Sequence, residues 1–399
     1  MEYKTYNIEL QMSENTRNHW MSLLAQTREA FNFCAQLVTE KNTPLNVKTF
    51  HNECYDAIRE KYKMIPAQGV IKTYKEVLSA LRSIKRNKHE DAKTPQRKQL
   101  ALHLDKRMYS KLSIDGILLS TSEKGHREFC TFVLYDQVRE LFNTCNFSDP
   151  LIFARNGRLF LSVPFEVATP PRVGDTSLGV DLGMKRLFVT SEGKGFVDKE
   201  YLAKRRKLRF LKNKLKKKGT KSAKRHLKKL SHKEYNLSKD MQLRAAKALI
   251  ESTDASYIVL EDLKKLKQRT SKTKNGGFKR KKHNSAISQV PFANFKEVLT
   301  HKAALVGKQV ITVSPIWTSQ TDSRTNKRDG VRQGCRYYCS DRVVFDADWN
   351  AAVNIAIRSK HPISSALPID GRLTFLVGKA LLAASSSVTF NGGGQAHTL

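Results

Sequence analysis

The sequence predicts two parts: an N-terminal β-barrel carrying a helical insert, and a C-terminal α/β domain whose mixed sheet is flanked by helices. Three observations carry this. Short runs of β-type residues cluster between Ile117 and Val163, bounded by turn residues. The stretches between Asn18 and Arg86 instead repeat apolar residues close to helical spacing. Between the two parts, Ala168 to Asp175 (ATPPRVGD) sets two prolines side by side and adds a glycine, a composition that keeps chain extended.

Taken in order, Tyr3 to Leu10 alternates and reads as a strand. Trp20, Leu23, Leu24, Ala30, Phe31, Cys34 and Leu37 then mark the inner face of a helix from Asn18 to Lys41. Further helices follow at Thr49 to Lys61 and at Pro66 to Arg86, the latter with Val70, Tyr74, Val77, Leu78 and Leu81 on one face, and 87–98 is a polar loop. Strands follow at Ile117 to Ser120, Phe129 to Val133, Leu151 to Ala154 and Leu159 to Val163, the last two joined by the turn Arg155-Asn156-Gly157. Residues 1–15 and 100–170 would form the barrel, with 16–99 inserted in it and 171–176 as a linker. Beyond the linker come a strand (Ser177 to Asp181), a hairpin around Glu192 to Gly195, a long basic helical region, a strand (Ser256 to Glu261), a basic loop, a helix (Phe292 to Val306), a strand (Gln309 to Val313), an irregular insert over 314–346 and a last helix (Ala347 to Ser359). Residues 361–399 read as a tail.

The 399 residues carry 72 Lys and Arg against 37 Asp and Glu, a formal net charge of +35. Left uncompensated, such a charge repels itself, so a polyanionic partner is expected. The longest apolar stretch, Leu373 to Ala384, is interrupted by Gly378 and Lys379, and the opening residues lack the apolar core of an export signal. No membrane association and an intracellular place, cytoplasm or nucleoid, are therefore expected. Six scattered cysteines make no disulfide framework.

Three carboxylates stand at the ends of apolar runs. Leu178-Gly-Val-Asp181-Leu-Gly183 places an acid in a buried-type strand between two glycines, which leave room for close approach of another backbone or a ligand. Tyr257-Ile-Val-Leu-Glu261 repeats the arrangement, and Phe345-Asp-Ala-Asp348-Trp-Asn350 opens a helix whose Ala351, Ala352, Val353, Ile355 and Ala356 form a small-residue packing face. Each acid alone also suits a strand end or a helix N-terminus. Together, in so basic a chain, they suit a pair of Mg²⁺ ions held by hard oxygens for phosphodiester hydrolysis.

Two basic segments accompany them. Residues 204–233 contain no acid, and their leucines and Phe210 fit two helices around Gly219-Thr220. Lys204, Arg205, Arg206, Lys207, Arg209, Lys212, Lys214, Lys216, Lys217, Lys218, Lys221, Lys224, Arg225, Lys228 and Lys229 are the candidate phosphate contacts there. Lys279, Arg280, Lys281 and Lys282 form a second group, in the loop after Glu261.

GVDLG, IVLEDL and DADWNAAVNIA, with Thr318-Ser-Gln-Thr321 upstream of the third, resemble the three RuvC-type motifs of TnpB, the RNA-guided DNA endonuclease of insertion sequences and relative of compact type V CRISPR effectors. The resemblance covers about 175–360; the N-terminal half fits only a general plan of wedge barrel and helical recognition insert. It implies an RNase H-like (RuvC) nuclease domain over 177–360, with Asp181, Glu261 and Asp348 as acidic triad and Mg²⁺ ligands. It also implies a guide RNA and target DNA as partners, and Asn350 as the residue that orients Asp348 or a metal-bound water. Alternatives in the same fold are a guide-dependent DNA binder that does not cut and a type V effector with a processed guide; a transposase or junction resolvase would share the acids but need no RNA.

One departure stands out. TnpB-like proteins mostly follow TSQT with two Cys-x-x-Cys pairs, a zinc pattern. Here the first pair reads Asp322-Ser-Arg-Thr325 and the second Cys335-Arg-Tyr-Tyr-Cys339. Structural zinc is doubtful on that account. If present, it would draw on Cys335, Cys339 and Asp322; otherwise Trp317, Tyr337, Tyr338 and Phe345 would hold the insert by packing.

Overall fold

A computed structural model describes residues 2–86, 94–123, 125–183, 186–263, 292–363, 374–377 and 388–389. Two compact units divide the chain, Met1–Ala168 and Thr169–Leu399.

The first unit is built on one antiparallel sheet. Its long strands are β1 (Glu2–Gln11), β5 (Arg127–Val133), β7 (Leu151–Arg155) and β8 (Arg158–Val167), with shorter β2 (Ala101–His103), β3 (Tyr109–Ser110), β4 (Gly116–Ser120) and β6 (Asn146–Phe147). The hydrogen-bonded order is β2-β7-β8-β1-β5-β4-β3, with β6 on β8. β1 pairs with β8 along nearly its whole length, Glu2 opposite Val167 and Glu9 opposite Phe160. That register turns Ile8 and Leu10 into a core with Leu159, Leu161, Val163 and Phe165.

Helix α1 (Glu14–Glu40) is capped by Ser13, whose hydroxyl accepts from the Thr16 N–H. Its first half packs on the sheet through Trp20, Leu23 and Leu24, and the Trp20 indole donates to the Ser120 carbonyl at 3.0 Å. Its second half packs on α2 (Val47–Lys61) and α3 (Ala67–Arg86) around Phe50, Ile58, Val70 and Val77. A further helix, α4 (Asp136–Thr144), was not foreseen. It is short and buries only Val138, so it shows too little apolar periodicity to read.

The second unit has a mixed sheet in the order β13-β12-β9-β10-β11-β17-β18. These are β9 (Ser177–Leu182), β10 (Phe188–Thr190), β11 (Lys194–Val197), β12 (Tyr257–Glu261), β13 (Gln309–Val313), β17 (Thr374–Val377) and β18 (Val388–Thr389). β9, β12 and β13 run parallel at one end of it, with β13 at the edge. β17 lies parallel to β11, so part of the segment expected as a tail belongs to the sheet.

Strand alternation gives the sheet two faces. Leu178, Val180, Ile258 and Leu260 point to α6 (Lys221–Glu251) and α7 (Phe292–Ala304), meeting Met241, Ala245, Leu249, Phe295 and Leu299. Gly179 points to the other face, against α8 (Ala347–Ile357). α6 follows α5 (Lys199–Lys218) through Gly219, which ends α5 in the left-handed conformation at φ 65, and Thr220, which caps α6. Two helices thus meet where the sequence placed them. Between β13 and α8, a three-stranded ribbon is formed by β14 (Val331–Gln333), β15 (Arg336–Tyr338) and β16 (Val344–Asp346).

Candidate active site

The three acids come from β9, β12 and the first turn of α8. β12 runs parallel to β9 with Val259 opposite Gly179 and Leu260 opposite Val180, so the next residues, Glu261 and Asp181, stand at the carboxyl ends of neighbouring strands. Both fall on the α8 face by alternation. α8 reaches that face because Gly179 has no side chain: a Cβ there would run into the Ala352 carbonyl oxygen and come within 2.6 Å of the Ala356 nitrogen. The glycine and the alanines therefore act together, and their close packing brings the start of α8 to Asp181.

The electrostatics record the approach. Asp181 is half-exposed by surface area, yet protein surrounds its carboxyl. Burial, then the charges of Glu261 and Asp348, push it well above the usual carboxylate range, while Arg332 works the other way. Burial also raises Glu261, partly offset by the Thr318 hydroxyl, which donates to Glu261 Oε1, and by Arg358 and Arg332. Thr318 thus gives the TSQT segment a physical role: it fixes the second acid.

Asp348 is held by two arginines that the sequence reading did not include. Arg332 Nη2, from β14, lies 2.6 Å from Asp348 Oδ1, and Arg186 Nε lies 3.6 Å from Oδ2. Arg186 also donates to Asp346 Oδ2 at 2.7 Å. Asp346 caps α8, its Oδ1 accepting from the Asp348 and Trp349 N–H groups at 2.9 and 3.1 Å. Arg186 and Arg332 each sit 16 residues or more from their partners in sequence and carry no local motif, so only the fold reveals them.

Asn350 differs from expectation. It is buried, but its amide grips the Thr321–Ser323 segment ahead of the ribbon rather than Asp348: Nδ2 donates to the Thr321 carbonyl at 2.7 Å, and Oδ1 accepts from the Ser323 N–H at 2.9 Å. Asn354, one turn on, donates to the carbonyls of Thr318 and Thr321 at 2.9 and 2.7 Å. The two asparagines pin the chain that carries Thr318, and so act on Glu261 through it.

The donor set suits a hard divalent cation, being carboxylate oxygens of which those of Glu261 and Asp348 raise the proton affinity of Asp181. Among the described residues, however, no three His, Cys, Asp or Glu side chains lie close enough to ligate one ion as placed. The arginines on Asp348 supply counter-charge in this arrangement.

Zinc does not fit the ribbon. Cys335 is exposed on the β14–β15 turn, on the side of Arg186, whereas Cys339 is buried and hydrogen-bonded to Asp322. The proposed ligands thus face different neighbours. The packing expectation is corrected as well. Tyr337 and Phe345 stack at 5.5 Å in the ribbon core, but Trp317 is 49% exposed and Tyr338 only half-buried.

The candidate phosphate contacts on α5 and α6 face solvent, except Arg205 and Lys212, which are half-buried. Lys204 pairs with Glu200 and Lys212 with Glu234, each at 2.5 Å. Phe210, read as a packing residue, is 69% exposed; Tyr201, Leu208 and Ala223 bury the hairpin instead. Lys279, Arg280, Lys281 and Lys282 lie outside the described residues. No described helix is long and apolar enough to cross a membrane.

Residues 292–355, which include the ribbon and most of α8, match the family model of the Cas12f1-like TNB domain. The chain is similar in fold to Cas12f1 in the cryo-EM structure of a Cas12f1–sgRNA–target DNA complex, with 16% identity over 86% of this chain and 83% of that one and a TM-score of 0.59. The mini RNA-guided endonuclease CRISPR-Cas_phi3 aligns over 92% of this chain and 93% of that one, with 13% identity and a TM-score of 0.45. No curated protein matches. The resemblance to Cas12f1-like effectors therefore holds for this domain and, in fold, for most of the chain.

Proposed function

We propose that this chain, which carries a Cas12f1-like TNB domain, is an RNA-guided DNA endonuclease whose RNase H-like (RuvC-type) domain cuts DNA with Asp181, Glu261 and Asp348. The observation that carries the reading is the approach of these three acids at the carboxyl ends of two parallel strands and the start of one helix. Guide RNA and target DNA are the partners named in the Cas12f1 complex, and a chain of net charge +35 suits both. Sequence choice would then come from base pairing, with protein reading backbone and heteroduplex shape.

Each residue has a separable task. Asp181, Glu261 and Asp348 would hold Mg²⁺, which when bound stabilises charge on the attacking and leaving oxygens of the phosphodiester. Thr318 holds the Glu261 carboxylate in place, and Asn350 and Asn354 hold Thr318's chain. Arg186 and Arg332 orient Asp348. The exposed cations of α5 and α6 take phosphates of RNA or DNA, and the N-terminal sheet, read as a wedge barrel, and its three-helix insert take the rest of the nucleic acid.

The test is cleavage of a plasmid bearing the sequence complementary to the RNA that purifies with the protein. Magnesium-dependent cutting, abolished by D181A and by prior RNase treatment, is expected. Binding without cutting would replace the proposal with a guide-dependent binder, and cutting that survives RNase with a resolvase-type enzyme. Sequencing the bound RNA separates a transposon-derived guide from a processed CRISPR guide.

A further inference from the structure

The ribbon has the layout of a metal-held knuckle pair but not the ligands. Two segments face each other, the loop of Asp322 to Thr325 and the β15–β16 turn of Cys339 to Asp341. In a zinc ribbon these are the places that a tetrahedral ion ties together. Here a side chain lies between them.

Arg324 Nη2 is 2.9 Å from Asp322 Oδ2 and 3.0 Å from both oxygens of Asp341, and Arg324 Nε is 3.3 Å from Asp322 Oδ1. Its backbone N–H also donates to Asp322 Oδ1 at 2.9 Å. Asp322 is 1% exposed, so its charge needs this partner. The Arg324 guanidinium also lies 5.5 Å from the Phe345 ring centre, joining the cation to the aromatic core. Lastly, the buried Cys339 thiol hydrogen-bonds Asp322; burial, that hydrogen bond and the Asp322 charge push the thiol up to about 11.

We propose that the Arg324 guanidinium is the organising cation of the ribbon, standing where a zinc ion would stand and tying the Asp322 loop to the Asp341 turn, so that the insert folds without metal. The chemistry is consistent on both sides. A planar fork with five donors can satisfy two carboxylates nineteen residues apart, as the pairing with Asp322 and Asp341 does. A divalent ion brought to the same place would meet the fixed positive charge of Arg324 between the two carboxylates.

The proposal is independent of nuclease activity, and its test reads none. Full-length protein expressed with zinc in the medium is analysed for bound metal and for amide hydrogen exchange across 318–346, with and without a zinc chelator. Far less than one zinc per chain is expected, with exchange unchanged by the chelator. R324A should speed exchange in that segment about tenfold or more, as loss of a charge-assisted pair does. D341A removes only the exposed half of the clamp and should speed it less, which keeps the test available if R324A does not fold. Stoichiometric zinc, exchange that rises with chelator, or an R324A or D341A ribbon as protected as wild type would overturn the proposal.

Discussion

Arg332 Nη2 lies 2.6 Å from Asp348 Oδ1, so a ribbon strand closes an ion pair with the helix that carries the third acid. The two side chains are 33% and 17% exposed, and water screens the pair only in part. Arg332 therefore competes with any cation that seeks Asp348. R332A should tighten divalent-ion binding by the unliganded protein about tenfold, the scale of one charge-assisted hydrogen bond. Manganese titration followed by electron paramagnetic resonance reads the effect directly; an unchanged affinity would show that Arg332 does not compete.

Gly179 sets the distance between β9 and α8. Its neighbours on that side are the Ala352 carbonyl and the Ala356 nitrogen, backbone atoms of a buried helix that cannot turn aside. G179A should cost about 2–4 kcal/mol by overpacking. A chemical denaturation midpoint equal to that of wild type would contradict the close approach.

Asp181 and Glu261 both bind their protons more tightly in the folded chain than in the unfolded one, because burial raises both and like charges raise Asp181 further. For acids shifted this way, stability is greatest below the unfolded carboxylate range, ~4, and falls as pH rises through the raised folded values. D181N removes one such group. In chelator at neutral pH its melting temperature should exceed that of wild type by a few degrees, with the gap closing as pH falls toward ~4. A variant that melts lower at neutral pH would contradict the repulsion.

Asn350 bridges α8 and the segment ahead of the ribbon with both ends of a buried amide. N350A leaves the Ser323 N–H and one acceptor position of Thr321 unfilled, at a cost of about 1–3 kcal/mol. Faster exchange at Ser323 is the expected readout. If the residue instead oriented Asp348 alone, exchange there would not change.

Lys216, Lys217 and Lys218 end α5 and are exposed. Changing all three to glutamine should flatten the plot of log affinity against log salt by about 2 to 3 for duplex DNA, with no change in which sequences bind. An unaltered slope would move the phosphate contacts elsewhere.

The elements were largely legible, because local periodicity encodes burial. Alternation announced β1 and β8, and the leucine spacing around Gly219-Thr220 announced two helices, which is how α5 and α6 end and begin. Short pieces such as α4 and the two-residue strands β3 and β6 escaped, since they bury too little to leave a pattern. The glycine beside Asp181 was readable as a place of close approach, though not what approaches it: α8, through Ala352 and Ala356.

By itself the sequence determined that three carboxylates would end apolar runs, that two glycines would flank the first, and that a large positive charge would surround them. Only the tertiary structure decided which partners those groups found. Thr318 meets Glu261 across 57 residues, Arg186 meets Asp346 across 160, and Arg324 ties together segments whose cysteine pattern the sequence had already shown to be broken. The reason is physical: burial follows from neighbours along the chain, whereas a charge or hydroxyl chooses its partner only after strand register and helix packing have fixed what lies within reach.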